Sequence, residues 1–354
     1  MAESASGLER FIDSEFWALG AFYVDFEQDL VAIGKGGTVT PTASFSRGSK
    51  TAFVLKDFYS SQYLCYQPEE TYLARRTEFQ ALAKTWPSVK LAATPTGTAD
   101  ELYRRDFEQL KQAFDEKLQK VVLVSREAYE LSNDPATRRQ LVKRAFEFGT
   151  GSPYGFWSGS YGVVGSSPEL LFTLKGNDLS SVALAGTAKL GQEQELLASQ
   201  KDRHEHELVI RDIAEKLGPV SQEVSQGETG LLEFKNLIHL RTPIRAKLRS
   251  EVSLNDLVGR LSPTAALGGY PQQQSLGFLK STAYHRRYGT RYFGSAFGVT
   301  GDVLNQFLVS IRNVQWDDGG FFIESGGGVV PASTLERELA EIHLKRQTIR
   351  SHYL

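Results

Sequence analysis

The sequence contains a single cysteine, Cys65, among 354 residues. One thiol per chain cannot form an intrachain disulfide framework or a cysteine-based zinc site. Cys65 stands between apolar and aromatic residues in YLCYQ, with no candidate base beside it in sequence. We therefore assign this thiol to packing and exclude cysteine chemistry from the function.

Long apolar segments are also missing. No window approaches the roughly 18 consecutive apolar residues that a membrane-spanning helix needs. The N-terminal stretch MAESASGLERF lacks the basic segment and apolar run of a secretory signal. We expect a cytoplasmic protein that makes no membrane contact.

The chain has little excess charge, because 40 Lys and Arg residues nearly balance 42 Asp and Glu residues and the formal net charge is −2. Such a balance produces no global field that would attract nucleic acid or anionic lipid. Nucleic acid is therefore not an expected partner. A negatively charged ligand would have to be held by a local cluster of Lys, Arg and backbone amides.

Hydrophobic spacing predicts a chain that mixes helices with many strands. Residues 15–65 alternate short apolar runs with Gly and Ser, which indicates antiparallel strands, and 92–100 is predicted to be a loop. An amphipathic helix follows, because Tyr103, Phe107, Leu110, Phe114 and Leu118 recur at three- and four-residue spacing. The other predicted elements are strands at 120–131, 159–176, 178–191, 294–316 and 319–330, and helices at 134–148, 192–217, 252–261, 272–287 and from about Thr334. The pattern indicates an α/β protein of the α+β type, since regular βαβα alternation is absent.

The stretch KDRHEHELVIRDI (201–213) resembles a metal-binding helix at first sight. His204 and His206 are only two residues apart, whereas a zinc-binding helix needs histidines four apart on one face. Glu205, by contrast, falls on the apolar stripe of Val209 and Ile213. It is either a wet residue at a frayed helix start or an inward carboxylate that awaits a cation.

The C-terminal helix offers a second set of carboxylates. Ser333 and Glu336 are spaced as a capping box at its start. Glu338, Glu341 and Lys345 line a strip beside the apolar face. The simplest alternative is a surface Glu–Lys pair four residues apart, which contributes only a few tenths of a kcal/mol.

Four further features carry candidate chemistry. The glycines of ESGGGVVPAS allow backbone amides to approach an anion, but the third glycine of a dinucleotide fingerprint is missing. Lys120 opens an apolar strand, and Glu169 lies between a proline and two leucines, where desolvation would raise its pKa. Arg312 interrupts the apolar run FLVSIRNV, and a buried arginine needs an anion. Each of these positions has an ordinary alternative as a strand-end or edge residue.

Taken together, these stretches resemble the chorismate-utilising enzymes, and among them the isochorismate synthases. The motifs stand in the family's order and cover about residues 100–354. They are KVVLVSR (120–126), GSSPELLF (165–172), LAGT (184–187), KDRHEHELV (201–209), LSPTAALGGYP (261–271), FLVSIRN (307–313), SGGGVVPAS (325–333) and ERELAEIHLK (336–345).

The resemblance implies an anthranilate synthase component I-like fold, in which large, mostly antiparallel sheets pack as a sandwich with helices on the outside. It also implies a variable N-terminal part at 1–98 and a chorismate-binding catalytic region at 99–354. Glu205 and Glu341 match the glutamates that hold Mg²⁺, and Glu338 matches a carboxylate that contacts metal-bound water. Mg²⁺ commonly takes one or two carboxylates and keeps several waters, which suits this set.

The same resemblance implies roles in the reaction. Lys120 matches the lysine that activates water for attack at C2 of chorismate, and Glu169 matches the acid that protonates the departing C4 hydroxyl. A lysine base has to be neutral and a glutamic acid has to be protonated, so opposite pKa shifts are expected. The positions that match substrate-binding groups are Gly186, Thr187, Arg312, Gly326, Gly327 and Lys345.

Sibling activities are weighed from the same motifs. Ammonia-using relatives generally lack lysine at the position of Lys120, and aminodeoxychorismate synthases carry a lysine where this chain has Ala185. We therefore expect no glutaminase subunit, and a monomer or weak dimer. Ser262 departs from the histidine of many family members, which bears on fine specificity. Salicylate synthase and a non-catalytic chorismate-binding protein stay open as alternatives.

Overall fold

A computed structural model gives the fold of the chain. It describes residues 2–46, 48, 50–149, 151–234, 237–249 and 252–354, with side chains described from residue 7 onward. The helices are α1 (Ala2–Phe11), α2 (Ser14–Ala18), α3 (Arg76–Thr85), α4 (Asp100–Ala113), α5 (Pro135–Glu147), α6 (Glu193–Ala198), α7 (Gln200–Leu217), α8 (Leu254–Leu261), α9 (Gln272–Ser281), α10 (Ala283–Tyr288) and α11 (Leu335–Tyr353).

The strands are β1 (Gly20–Val24), β2 (Val31–Lys35), β3 (Thr38–Thr42), β4 (Ala52–Lys56), β5 (Tyr63–Gln67), β6 (Glu70–Ala74), β7 (Thr94–Thr98), β8 (Lys120–Glu130), β9 (Ser152–Trp157), β10 (Gly162–Ser167), β11 (Leu170–Lys175), β12 (Asp178–Lys189), β13 (Ser221–Gln226), β14 (Gly230–Phe234), β15 (Leu237–Leu248), β16 (Gly269–Tyr270), β17 (Ala296–Thr300), β18 (Gln306–Val309), β19 (Asn313–Asp317) and β20 (Gly320–Val329).

These strands form two ten-stranded sheets. The first sheet has the order β16-β8-β20-β19-β10-β9-β1-β2-β6, with β7 paired to β8. The second sheet has the order β13-β15-β12-β11-β18-β17-β4-β5-β3, with β14 paired to β15. The pairs that build the centre of each sheet, such as β8 with β20 and β12 with β15, are antiparallel.

Aromatic side chains from both sheets meet in one core, so the sheets pack face to face. Tyr23 of β1 stacks on Phe297 of β17 with ring centroids 6.1 Å apart. Tyr66 of β5 lies 5.6 Å from Phe156 of β9. Helices α4, α5 and α11 pack against the first sheet, and α7 packs against β12 of the second. The predicted α+β sandwich of mostly antiparallel sheets is therefore confirmed.

Two predicted strands are wrong in extent, because each contains a change of sheet. Residues 159–176 form β10 in the first sheet and β11 in the second, and the break falls at Pro168, which has no N–H for a ladder. Residues 294–316 form β17 and β18 in the second sheet and β19 in the first. An apolar run keeps its hydrophobicity across such a crossing, so the sequence pattern does not show it.

Two predicted helices are each divided into two. The helix expected at 192–217 breaks at Ser199, whose hydroxyl accepts from the Asp202 amide at 3.2 Å and starts α7. The helix expected at 272–287 breaks at Thr282, whose hydroxyl accepts from the His285 amide at 3.1 Å. Both residues have extended backbone and act as N-caps inside a continuous helical pattern.

Three other local predictions are also wrong. Residues 94–98, expected to lie in a loop, form β7 at the edge of the first sheet, where Pro95 is tolerated. Helix α4 ends at Ala113, because Phe114 has extended backbone. The capping box of Ser333 is not formed, since Thr334 is the N-cap of α11 and the Ser333 hydroxyl accepts from the Val330 amide at 3.1 Å.

The N-terminal hundred residues contribute strands to both sheets. Strand β1 pairs with β9, and β4 pairs with β17. The division at residues 98 and 99 stays a prediction. No helix in the described part of the chain is both long and apolar enough to cross a membrane.

Candidate active site

A pocket lies where β12 and β20 meet helices α7 and α11. Eight of the predicted site residues line it, namely Glu169, Gly186, Thr187, Glu205, Arg312, Gly326, Glu341 and Lys345. Ala185, the position at which aminodeoxychorismate synthases are expected to carry lysine, lines it too. The remaining three predicted site residues lie behind this wall. Lys120 contacts the lining residue Glu205, Gly327 lies between the lining residues Gly326 and Gly328, and Glu338 lies against Gly327. The fold therefore brings motifs that are far apart along the chain to one pocket.

Lys120 and Glu205 form a buried ion pair. The Lys120 side chain is 0% exposed, and its Nζ lies 2.9 Å from Oε1 of Glu205. Burial by itself would raise the pKa of Glu205, but the charges of Lys120 and Lys201 outweigh it and hold this pKa below its usual value. Glu205 is thus the inward carboxylate of α7, and the alternative of a wet residue at a frayed helix end is wrong.

Two glycines of β20 provide room for carboxylates. A Cβ on Gly328 would lie 2.2 Å from Oε1 of Glu205, and a Cβ on Gly327 would lie 2.9 Å from Oε2 of Glu338. Any larger residue at Gly328 would displace Glu205. The predicted role of the Gly326 and Gly327 amides toward an anion stays a prediction, and both residues pair with β8.

Glu338 is the most deeply buried carboxylate of the site. Its side chain is 0% exposed, and its Oε1 accepts from Lys201 Nζ at 2.8 Å. Oε2 has no hydrogen-bond partner among the described residues. Burial and the nearby charge of Glu341 raise the pKa of Glu338 above its usual value. Lys201, at the polar start of α7, was not identified from the sequence.

Glu341 and Lys345 form the third pair. Lys345 Nζ donates to Oε1 of Glu341 at 2.6 Å and to the carbonyl of Gly326 at 2.9 Å. The Lys345 side chain is 17% exposed and the Glu341 side chain is 20% exposed, and both line the pocket. The alternative of a surface Glu–Lys pair is therefore wrong.

The three carboxylates therefore each contact a lysine. No group of three or more His, Cys, Asp or Glu side chains stands ready for a metal in the part of the chain that the structure describes. The donor chemistry nevertheless fits Mg²⁺, which prefers carboxylate oxygens and water, and Oε2 of Glu338 is an unused buried acceptor. A zinc site in α7 does not fit, since His204 is exposed and His206 contacts Thr242 Oγ1 at 2.7 Å.

Glu169 lies in the link between β10 and β11, where the chain passes from one sheet to the other. Its side chain is buried, and Thr264 donates to its Oε1 at 3.3 Å. Burial raises its pKa to about 8, against the opposing effects of Thr264 and the nearby cations. Glu169 therefore carries a proton near neutral pH, in the wall of the pocket.

Arg312 lies in the link between β18 and β19, which corrects the prediction of an arginine inside a strand. Its φ of 55° is in the left-handed region, which costs a non-glycine residue about 1 kcal/mol or more. Burial lowers its pKa to about 10, so it stays charged at neutral pH. Its Nε has no hydrogen-bond partner among the described residues, which leaves it available to an anion.

His239 of β15 contacts Arg312, and the sequence did not identify it as a residue of the site. Its Nδ1 lies 3.1 Å from the Gly186 carbonyl and 3.1 Å from Thr187 Oγ1. Because a carbonyl only accepts, Nδ1 carries the proton, and Nε2 accepts from Arg312 Nη2 at 3.3 Å. Burial and the charge of Arg312 lower the pKa of His239, which keeps it neutral. A lone histidine in an apolar strand is the only sequence signal for this contact.

Ser262 and Cys65, two residues noted in the sequence, have packing roles. Ser262 is buried at the end of α8, where its hydroxyl lies 3.2 Å from Ser295 Oγ. Cys65 is half-buried in β5 and packs against the core, and burial raises its pKa. The packing role of Cys65 is therefore confirmed.

Comparisons with known proteins identify relatives of this chain. The family model described as "Chorismate binding enzyme" matches residues 41–352. The salicylate biosynthesis isochorismate synthase of Pseudomonas aeruginosa is 33% identical over 199 residues, 53% of this chain and 41% of that protein. The isochorismate synthase EntC of Escherichia coli is 33% identical over 197 residues, 53% of this chain and 50% of that protein. The chain thus spans about half the length of these two curated relatives.

A longer match is the putative isochorismate synthase MenF of Mycobacterium tuberculosis, 30% identical over 288 residues, which cover 74% of this chain and 75% of that protein. Among solved structures, the menaquinone-specific isochorismate synthase MenF of Escherichia coli gives a TM-score of 0.80 at 18% identity, over 100% of this chain and 99% of that one.

Anthranilate synthase component I of Streptococcus pneumoniae gives a TM-score of 0.68 at 15% identity, over 93% and 89% of the two chains. At such identities the two solved structures support the fold alone, which is the anthranilate synthase component I-like fold that the sequence predicts. The family model, in contrast, spans residues 41–352 of 354 and includes the whole pocket. The chain therefore belongs to the chorismate binding enzyme family.

Proposed function

We propose that this chain is an isochorismate synthase, which converts chorismate to isochorismate. The observation that carries the proposal is a buried carboxylic acid in the pocket wall, Glu169, whose pKa is about 8, together with a buried lysine behind that wall, Lys120. A chorismate-binding protein without catalysis would need neither a proton donor nor a base. The similarity to proteins named isochorismate synthase supports the same activity.

The substrate carries two carboxylates, and the pocket supplies cations for them. Arg312 has an unused Nε in the described structure, and Lys345 stands at the pocket wall beside Gly326. We assign the substrate carboxylates to these two side chains, with the Gly186–Thr187 segment opposite. These side chains provide positive charge at the pocket, although the chain as a whole has a net charge of −2 and no overall positive field.

The reaction adds one water and releases another, so it is an isomerisation. Lys120 accepts a proton as water attacks C2, the ring double bond shifts, and the C4 hydroxyl leaves with the proton of Glu169. Lys120 can act as a base only when neutral. Its Nζ lies 2.9 Å from Oε1 of Glu205, so this contact has to be given up before the nitrogen can take the proton of the attacking water.

Mg²⁺ is the proposed cofactor. Glu205 and Glu341 would hold it, and Glu338 would contact a metal-bound water. When bound, the ion would supply positive charge for a substrate carboxylate. Because Glu341 Oε1 is within 2.6 Å of Lys345, Glu341→Gln also releases that lysine.

Glu341→Gln is expected to raise the Mg²⁺ concentration needed for half-maximal rate by at least about tenfold and to lower kcat, since one anionic ligand is lost. Titration of the rate with Mg²⁺ measures both effects. The matched control is Glu336→Gln, which changes an exposed carboxylate at the start of the same helix. An Mg²⁺ titration equal to that of the unmodified protein would refute the ligand assignment.

Product analysis tests the activity itself. Incubation with chorismate and Mg²⁺, followed by chromatographic separation of the products, is expected to give isochorismate alone. Salicylate together with pyruvate would instead identify a salicylate synthase. Binding of chorismate without turnover would identify a non-catalytic member of the family.

The remaining assignments follow from this activity. We propose that the protein works in the cytoplasm on water and not on ammonia, so it needs no glutaminase subunit, and that it is a monomer or weak dimer. The product would supply menaquinone or siderophore synthesis. Sedimentation of the purified chain tests the assembly state, and an added glutaminase that left the rate unchanged would support independence from such a subunit.

A further inference from the structure

Lys201 occupies a position that the proposed reaction does not explain. It lies in the first turn of α7, one turn before Glu205, and its Nζ contacts Oε1 of Glu338 at 2.8 Å. The charges of Glu205 and Glu341 act on it as well. Its side chain is 23% exposed and is not part of the pocket lining.

The electrostatics of the carboxylate cluster explain why a cation stands there. Three carboxylates that share one buried region repel one another, and each needs a positive partner. Lys120 and Lys345 have proposed tasks toward the reacting water and the substrate. Lys201 has none, so its charge serves the cluster alone.

We infer that Lys201 is an internal counter-ion of the Glu205–Glu338–Glu341 cluster, which stabilises the cluster without metal and weakens the binding of Mg²⁺. The inference rests on the proposed magnesium site. Oε2 of Glu338 is buried without a partner, so this carboxylate keeps one oxygen for the metal's water while Lys201 holds the other. The side chain is a positioning residue for Glu338 and opposes the charge of the metal.

The test is the affinity of the purified full-length chain for Mg²⁺ alone, measured by titration calorimetry without substrate. Lys201→Met keeps most of the side-chain length and removes the charge. Because a positive charge beside the proposed carboxylate cluster is lost, the Kd for Mg²⁺ is expected to fall by at least about tenfold. The melting temperature without metal is expected to fall, and the increase in melting temperature caused by saturating Mg²⁺ is expected to grow.

The matched control is Lys247→Met. Lys247 contacts Asp178 at the same distance of 2.8 Å, but both side chains are exposed, at 49% and 70%. This variant is expected to bind Mg²⁺ as the unmodified chain does. Lys201→Arg keeps the charge and is expected to stay within about twofold of it, since the electrostatic repulsion of the metal is retained.

An Mg²⁺ affinity that is unchanged or weaker in Lys201→Met would overturn the inference and leave the isochorismate synthase proposal intact. Absence of Mg²⁺ binding by the unmodified chain would overturn both the inference and the cofactor assignment. If Lys201→Met fails to fold, Lys201→Gln retains a donor for Glu338 and is expected to show the same tightening. Unchanged affinity in Lys201→Gln would overturn the inference equally.

Discussion

Lys120→Ala is expected to lower kcat for isochorismate formation by roughly 10²- to 10⁴-fold, because the variant has no base to take a proton from the attacking water. Lys120 is fully buried, and its Nζ lies 2.9 Å from Oε1 of Glu205. The KM for chorismate is expected to change little, since Arg312 and Lys345 are retained. Steady-state kinetics separates the two constants.

The same variant leaves Glu205 buried without its lysine, and breaking a buried pair costs about 3–5 kcal/mol. Lys120→Ala is therefore also expected to melt at a lower temperature, and rates should be compared well below that temperature. Partial recovery of kcat on addition of a small primary amine would separate a lost base from a damaged fold. Retained turnover without added amine would remove Lys120 from its role.

Glu169→Gln is expected to lower kcat by a similar factor, roughly 10²- to 10⁴-fold, because an amide cannot protonate the leaving hydroxyl. In the unmodified protein kcat is expected to fall as the pH rises through about 8, where Glu169 loses its proton. The residual rate of Glu169→Gln should not show this fall. A full pH profile with a high-pH limb that is equal in both proteins would contradict the assignment.

Stability gives an independent control for this residue. The pKa of Glu169 is raised in the folded state to about 8, so the folded chain holds a proton that the unfolded chain has released above about pH 4.5. The contribution of this carboxyl to stability is therefore full below its unfolded pKa and is lost as the pH rises through about 8. Glu169→Gln removes that loss, so its melting temperature should fall less with pH than that of the unmodified protein.

The fold was predictable from the sequence where one strand stays in one sheet. Strands β8, β12 and β20 match the predicted strands at their apolar runs, because a buried antiparallel strand is a continuous hydrophobic segment. The changes of sheet at Pro168 and near Arg312 were not predictable from apolar content alone. The helix breaks at Ser199 and Thr282 depend on side-chain caps that the helical period conceals.

The residues of the site were likewise predictable only in part. The motif residues were predictable from the resemblance, and the structure brings most of them to one pocket. The contact of Lys201 with Glu338 was not, because these residues are 137 positions apart and only the tertiary fold joins α7 to α11. The contact of His239 with Arg312 across 73 positions escaped for the same reason.

The reaction of chorismate with the purified chain and Mg²⁺ in H₂¹⁸O shows directly whether the new hydroxyl comes from water. Isochorismate is expected to carry one ¹⁸O atom, at the C2 hydroxyl, because water supplies the new hydroxyl and the C4 hydroxyl departs. Isochorismate without the label would contradict water activation by Lys120. Chorismate recovered unchanged would contradict the proposed activity.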